Sequence, residues 1–230
     1  MKFPSLVCVV FACALAPAFG YAQPEPASPA MQRDLHYTIT MNGKPVGSSE
    51  VSVEPEHEGR VTLRSRTRID IKSLLFSYHY NSTARETWSG DRLVSGEAET
   101  VEDGETSRTQ VTRAADTVVV ITDKGERHLT GNVATTSFWN LPRLPDATLT
   151  FLDIETGADF RAQARFVKEA EIAMNDFLVP CRLWQLSGDA KTQLWFDRDG
   201  VLVRVEYEEQ GQRFIHTLDR LAATSSKEKQ

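Results

Sequence analysis

The sequence has little cysteine, no excess of basic residues and a single long apolar run. Of its three cysteines, Cys8 and Cys13 lie near the N-terminus, which leaves Cys181 alone in the remaining chain. A lone cysteine cannot close an internal disulfide, so a disulfide-stapled fold is excluded. The net charge of -6 disfavours nucleic-acid binding, which requires a basic surface. Beyond residue 20 no run of about 18 apolar residues occurs, so we expect no transmembrane span.

Motifs of catalysis and metal binding are also missing. The sequence contains no G-x-S-x-G, H-E-x-x-H or C-x-x-C motif, no phosphate-binding glycine loop and no dinucleotide fingerprint. Its five histidines, at positions 36, 57, 79, 128 and 216, lack the spacing of metal ligands. The sequence therefore predicts no catalytic residue, no metal site and no cofactor.

The N-terminus is typical of a secretory signal peptide. Lys2 precedes an apolar run from Leu6 to Leu15, and small residues follow up to Ala22. Cleavage after Ala22 makes residues 1–22 the signal peptide, and the proline-containing residues 23–34 are expected to form a disordered leader. Because an exported domain without disulfides is typical of bacteria, we expect a periplasmic location.

From Leu35 onward, apolar residues recur at every second position. Tyr37, Ile39 and Met41 alternate with polar residues up to the turn pair Asn42-Gly43. Turn residues then recur every 8–12 residues or so, which is typical of antiparallel β proteins. We expect one β domain over residues 35–221 and a disordered tail over 222–230. The predicted fold is all-β: a curved, antiparallel, open half-barrel or incomplete barrel of about ten or more strands.

The second hairpin permits a register prediction. Pairing Glu54 with Arg60 places apolar residues opposite one another on one face and Glu50 opposite Arg64 on the other. The second strand of this hairpin is therefore expected to form a solvated, charge-paired face with its arginines Arg60, Arg64, Arg66 and Arg68.

One segment, residues 133–146, departs from the strand pattern. Pro142 and Pro145 disfavour a regular strand or a long helix, so we expect a short helical or irregular segment that crosses the sheet. Phe138 and Trp139 lie in this segment, where they either fill the core or cover a cavity.

Aromatic side chains are the most informative candidates for a binding site. Core packing explains many aromatic residues in β proteins, and the alternative is an apolar pocket inside a curved sheet, with Phe138-Trp139 as its lid. The candidate ligand-lining residues are Tyr78, Tyr80, Trp88, Phe138, Trp139 and Trp195.

Two functional classes follow. The favoured one is a non-enzymatic envelope protein that binds an apolar small molecule, such as a lipid or an acyl chain, or that acts as an interaction module. The alternative is a hydrolase-type enzyme whose acid–base pair lies among the carboxylates and His79 or His216. A binder needs an apolar interior with few polar groups, whereas an enzyme needs converging titratable groups.

Several short motifs occur in this order along the chain: Tyr37…Asn42-Gly43…Val46-Gly47, Glu86-Thr87-Trp88…Leu93-Val94, Thr136-Ser137-Phe138-Trp139-Asn140, Leu152-Asp153…Thr156-Gly157 and Leu186-Ser187-Gly188…Leu194-Trp195-Phe196-Asp197…Gly200. Their order resembles a family of exported proteobacterial proteins known only as a domain of unknown function. More distantly, the chain is similar to periplasmic β proteins of the lipoprotein-carrier half-barrel type. The resemblance covers about residues 35–221 and implies location and fold, without a reaction or catalytic residues.

Overall fold

The computed structural model describes residues 32–72, 77–139, 141, 147–174, 177–189 and 191–221. Within these ranges the chain forms fifteen strands and a short 3-10 turn at His57–Gly59. The strands are β1 (Arg33–Met41), β2 (Lys44–Pro55), β3 (Arg60–Lys72), β4 (Ser77–Ser89), β5 (Arg92–Glu102), β6 (Glu105–Ala114), β7 (Thr117–Thr122), β8 (Gly125–Thr130), β9 (Val133–Thr135), β10 (Ala147–Leu152), β11 (Asp159–Met174), β12 (Phe177–Gly188), β13 (Thr192–Asp197), β14 (Leu202–Glu209) and β15 (Gln212–Leu221).

β1 begins at Arg33, two residues before the predicted start of the domain. The predicted signal peptide, the leader up to residue 31 and the predicted tail lie outside the described residues, so these remain predictions. Within the described ranges, no helix is long and apolar enough to cross a membrane.

All fifteen strands belong to one sheet, in the order β8-β7-β6-β5-β4-β3-β2-β1-β15-β14-β13-β12-β11-β10-β9. Neighbours pair antiparallel, except that β9 pairs parallel with β10. The sheet curves into a nearly closed barrel with an unsealed seam, which confirms the predicted all-β incomplete barrel. The edge strands are β8 and β9. An ion pair from Arg127 on β8 to Asp159 on β11, at 3.0 Å, lies beside this seam.

The β2–β3 hairpin has the predicted faces, but its register differs by two residues. Glu54 pairs with Thr62 rather than with Arg60. The chain reverses within His57–Gly59, where Glu58 adopts a left-handed backbone with φ 62°, so the loop is shorter than predicted. A shift of two residues leaves every side chain on its original face. Opposite charges therefore still meet on the outer face, where Arg64 Nε lies 3.3 Å from a Glu54 carboxylate oxygen.

The barrel interior contains two large apolar clusters. The β3–β8 cluster comprises Val53, Val61, Leu63, Trp88, Leu93, Ala98, Val111, Val118, Val120, Val133, Leu152 and Ile154. The β10–β14 cluster comprises Ala134, Phe138, Leu141, Leu149, Phe151, Ala162, Ala164, Trp184, Leu186, Leu194, Phe196 and Val205. The segment after β8 contributes to both clusters, because Val133 packs in the first and Ala134 in the second.

The turn between β10 and β11, residues 153–158, folds into the barrel and is called the inner turn below. A Cβ atom at Gly157 would lie 2.4 Å from Thr122 Cγ2, so the turn packs directly against the inner face of β7. A Cβ atom at Gly96 would lie 2.8 Å from Ile154 Cδ1. The two glycines therefore provide the space in which the inner turn packs.

The crossing segment begins with strand β9, which the sequence did not predict. Thr136 donates its amide to the carbonyl of Leu152 at 3.1 Å, and Phe138 then turns the chain with φ 53°. Such a backbone is uncommon for a bulky residue. Pro142 and Pro145, on which the prediction of an irregular segment rested, lie outside the described residues.

Candidate functional site

A cavity of about 1500 Å³ lies inside the barrel. Its walls come from the inner faces of β1–β4 on one side and of β12–β15 on the other, with the inner turn and the crossing segment between them. Apolar side chains from both walls reach it, including Val51 and Leu63 on one side and Phe196, Leu202 and Val205 on the other. The cavity exists because the two clusters fill only part of the space that the curved sheet encloses.

The inner turn presents the Glu155 carboxylate to this cavity. Tyr80 donates its hydroxyl to Glu155 at 2.5 Å, and Thr67 donates to the other carboxylate oxygen at 3.2 Å. Thr100 donates to the main-chain oxygen of Glu155 at 2.7 Å, so three strands hold the turn. Burial raises the pKa of Glu155, and the carboxylate of Asp153 raises it further. The Glu155 carboxyl group is therefore fixed in position, and its raised pKa means that it takes up a proton at a higher pH than an exposed glutamate does.

A second carboxyl group, Glu86 on β4, is buried and joins the sheet to the crossing segment. Its side chain is enclosed, and its Oε2 accepts three hydrogen bonds. The donors are Trp88 Nε1 at 2.8 Å, Thr135 Oγ1 at 2.8 Å and Ser137 Oγ at 3.1 Å. Burial raises the pKa of Glu86, although the three donors oppose that shift.

Tyrosines from opposite walls line the same cavity. The rings of Tyr78 and Tyr80 stack with centroids 6.5 Å apart, and Tyr207 on β14 stacks on Phe214 at 5.4 Å. Burial raises the pKa of Tyr207, and Glu209 and Glu155 raise it further, so this phenol faces the acidic groups of the inner turn.

The charges that line the cavity are mostly negative. The acidic residues are Glu86, Glu102, Asp153, Glu155, Asp189, Glu206, Glu208 and Glu209, and the basic ones are Arg33, Lys191 and Arg213, besides His216. Arg213 is already paired with Glu206 at 2.6 Å. Burial lowers the pKa of His216 to about 4, so it is neutral at neutral pH. Glu102, Asp189, Glu208 and Glu209 are exposed, so the interior combines apolar walls with the carboxyl groups of Glu86, Asp153, Glu155 and Glu206.

Four of the six predicted lining residues, Tyr78, Tyr80, Phe138 and Trp139, line this cavity. Trp88 is fully buried in the β3–β8 cluster. Trp195 points to the opposite face of β13 from Leu194 and Phe196, where Arg204 lies 5.2 Å from its ring centroid. The role of the four cavity residues in binding a ligand remains a prediction.

Neither Glu155 nor Tyr207 was expected from the sequence, and Glu86 stood in one of the family motifs but not among the candidate site residues. For Glu86 a signal exists, because it occupies an inward position in the alternation of Tyr80, Ser82, Ala84 and Trp88 along β4. An acidic residue at an inward position of a strand is unusual and could have been recognised. Glu155 lies in a turn, and no local pattern shows that this turn folds inward.

The two histidines considered for acid–base chemistry lie on opposite faces. His79 is exposed, with its Nδ1 2.7 Å from a carboxylate oxygen of Asp70. His216 lines the cavity, and its Nε2 is 3.4 Å from the Tyr207 hydroxyl. Within the described ranges, no three His, Cys, Asp or Glu side chains form a group that could hold a metal ion.

His216 should make the protein less stable in mild acid. Its pKa is about 4 in the folded protein and 6.5 as the ordinary value, so the unfolded chain binds the proton more tightly. Its contribution to the free energy of unfolding is therefore present above pH 6.5 and is lost between pH 6.5 and about 4. Over this pH range we expect the free energy of unfolding of His216→Gln to decrease by about 2–3 kcal/mol less than that of the unmodified protein. Urea unfolding at several pH values measures the difference. His79→Gln is the exposed control, and an equal effect of both variants would contradict the assignment.

Trp139 should contribute less to stability than Trp88, because it is only partly buried and lies between the β3–β8 cluster and the cavity. We expect Trp139→Ala to cost about 2 kcal/mol and Trp88→Ala about 4 kcal/mol in the free energy of unfolding. Trp139→Ala should also weaken binding of an apolar dye. Unchanged stability together with unchanged dye binding would exclude both the core role and the lid role.

Comparison with known proteins gives a family and a fold. The sequence matches the model of a family described as a domain of unknown function (DUF6134) over residues 37–219. Among solved structures, the chain is similar to a β-barrel-like protein of domain of unknown function DUF1849 from Brucella abortus, with a TM-score of 0.61 and 12% sequence identity. That match covers 83% of this chain and 97% of the other, and at this identity it shows the fold alone. No curated protein matches the chain.

Proposed function

The chain belongs to the family DUF6134, and we propose that it is an exported periplasmic protein that binds an apolar or amphipathic small molecule, such as a lipid or an acyl chain, inside its barrel. The observation that carries this proposal is the cavity of about 1500 Å³ between two apolar clusters. Ligand sites are typically concave with apolar walls and placed polar groups, and this cavity combines apolar walls with carboxyl and hydroxyl groups. The secretory signal predicted over residues 1–22 supports the location.

The barrel supplies both parts of such a site. Apolar side chains of β1–β3 and β13–β14 offer surface for a hydrocarbon chain, and burial of that chain would provide most of the binding free energy. Tyr80 and Glu155 are fixed by hydrogen bonds on the sheet, so they are preorganised to orient a polar group. We therefore expect binding without catalysis.

A titration with the apolar dye N-phenyl-1-naphthylamine tests this proposal. Ala84 lines the cavity, so Ala84→Phe should fill part of it and weaken dye binding by about tenfold, close to 1.4 kcal/mol. Ala114 is exposed at the end of β6, and Ala114→Phe should bind the dye as the unmodified protein does. Urea unfolding of both variants checks that they fold. Absence of dye binding by the unmodified protein, or equal binding by Ala84→Phe, would overturn the proposal.

A hydrolase is the second candidate, favoured by the raised pKa of Glu155 beside the Tyr80 hydroxyl. A carboxyl group whose pKa is raised by burial can act as a general acid near neutral pH. The test is hydrolysis of p-nitrophenyl butyrate by the unmodified protein and by Glu155→Gln. Turnover that Glu155→Gln abolishes would support the enzyme, and turnover by neither would reject it for this ester.

A further inference from the structure

We propose that the cavity selects a cationic amphiphile, whose ammonium group contacts the Glu155 carboxylate and the rings of Tyr80 and Tyr207. This rests on the proposed function, because it specifies the polar group of the molecule that the cavity binds. The hydrocarbon part would then lie along the apolar side chains of β1–β3 and β13–β14.

The first support is the absence of counter-charges around the interior carboxylates. Within the described ranges, no Lys, Arg or His side chain forms an ion pair with Glu86, Asp153 or Glu155, which are buried or partly buried. Carboxylates in a low-dielectric interior are stabilised by a positive charge close to them. A bound cation would supply the charge that this part of the protein does not.

The second support is the aromatic composition of the same region. Tyr78, Tyr80 and Tyr207 line the cavity together with Glu155, and their rings carry negative faces. Tyrosine rings within about 6 Å of an ammonium group stabilise it, and cages of aromatic residues bind quaternary ammonium ligands in this way. Acidic groups and aromatic faces both favour a cation, although they are independent features of the wall.

The third support is that Glu155 combines a fixed position with access to the cavity. Its carboxylate is oriented by Tyr80 and Thr67, and its backbone is held by Thr100. The side chain is nevertheless only partly buried and faces the cavity. An ammonium group could therefore reach the carboxylate without displacing the inner turn.

The same wall disfavours an anionic amphiphile. A fatty-acid carboxylate placed beside Tyr80 would meet Glu155 and Asp153, and like charges at such distances repel. The basic residues that line the cavity are Arg33, Lys191, Arg213 and His216; Arg213 is held by Glu206, and His216 is neutral. Selection between head groups thus follows from repulsion as well as attraction.

A series of amphiphiles with one chain length and three head groups tests the proposal. Dodecyltrimethylammonium, dodecanol and dodecanoate, each at a concentration at which it is dissolved as single molecules, compete with N-phenyl-1-naphthylamine for the cavity. We expect the ammonium compound to bind about tenfold more tightly than dodecanol and dodecanoate to bind most weakly. Glu155→Gln keeps the size of the side chain and should remove most of the preference for the cation over dodecanol, because the carboxylate charge is lost. Glu99→Gln is the control, because Glu99 pairs with Arg108 on the outer face at 2.9 Å.

The outcomes separate this inference from the proposed function. If no amphiphile displaces the dye and the dye itself does not bind, the proposed function fails. If dodecanol and dodecanoate bind as well as the ammonium compound, the function stands and the cation selectivity is wrong. Should Glu155→Gln fold poorly, Tyr207→Leu tests the same preference from the opposite wall.

The pH dependence gives an independent readout, since a quaternary ammonium has the same charge at every pH. Its affinity should increase as the pH rises through the raised pKa of Glu155, because the ionised carboxylate attracts it. The titratable groups that face Glu155 are Tyr80 and Glu86 on β4, Asp153 in the inner turn and Tyr207 on β14. Glu155→Gln should flatten this dependence, and a dependence that survives the substitution would contradict the role of Glu155.

Discussion

Replacing Glu86 by alanine is expected to destabilise the folded protein by about 3–5 kcal/mol, since three buried donors lose their acceptor. The donors belong to Trp88, Thr135 and Ser137, and Trp88 and Thr135 are completely enclosed, so water cannot replace the carboxylate without a rearrangement. Urea unfolding measures the effect.

Glu86→Gln is the matched control, because its amide oxygen retains an acceptor and its neutral form resembles the protonated acid. We expect it to cost about 1 kcal/mol. The folded pKa of Glu86 is raised above 4.5, so its own contribution is greatest below pH 4.5 and is lost as the pH rises through the folded pKa. The cost of Glu86→Ala should therefore decrease from acidic to neutral pH. A smaller loss of unfolding free energy for Glu86→Ala than for Glu86→Gln at acidic pH would contradict this explanation.

Replacing Gly157 by alanine is expected to cost about 2–4 kcal/mol and to push the inner turn away from the sheet. The new Cβ atom would lie 2.4 Å from Thr122 Cγ2, and Gly157 has φ +72°, which only glycine adopts without strain. Because the inner turn holds Glu155, the variant should also bind the cationic amphiphile more weakly. Urea unfolding and dye competition measure the two effects.

A double-mutant cycle separates the steric contact from the backbone strain. Thr122→Ser removes the Cγ2 methyl group that the new Cβ atom would contact. It keeps the hydroxyl group that accepts a hydrogen bond from the Lys124 amide at 3.2 Å. Combined with Gly157→Ala, it should recover about half of the lost stability, because the positive φ remains. Gly43→Ala shows the cost of strain alone, since Gly43 has φ +79° and no atom lies within 4 Å of its added Cβ. Equal costs at Gly43 and Gly157 would show that the contact with Thr122 is unimportant.

Local alternation predicted the fold class because each strand keeps one face toward the interior. Leu35, Tyr37 and Ile39 follow that rule, as do Val61 and Leu63, and all five are buried. The predicted β2–β3 register was wrong by two residues. Alternation of apolar residues determines on which face of the strand a side chain lies, whereas the turn determines which residues of the two strands pair. The left-handed backbones of Glu58 and Gly59, which no alternation reveals, set where that turn lies.

The candidate site was less predictable, since its contacts join distant parts of the chain. Tyr80 and Glu155 are 75 residues apart, and their hydrogen bond depends on an inward fold of the inner turn. Trp88 and Trp195 illustrate the same limit, because similar strand patterns place one in the core and the other on the outer face. Aromatic composition alone therefore found part of the cavity wall and none of its carboxylates.

Native mass spectrometry of the protein purified from its own host tests the central claim, that the barrel holds a small molecule in its cavity. We expect that the unmodified protein carries an added mass that organic solvent releases, and that Ala84→Phe carries less of it than Ala114→Phe. A mass equal to that of the polypeptide alone, under conditions in which the dye complex survives, would contradict the account.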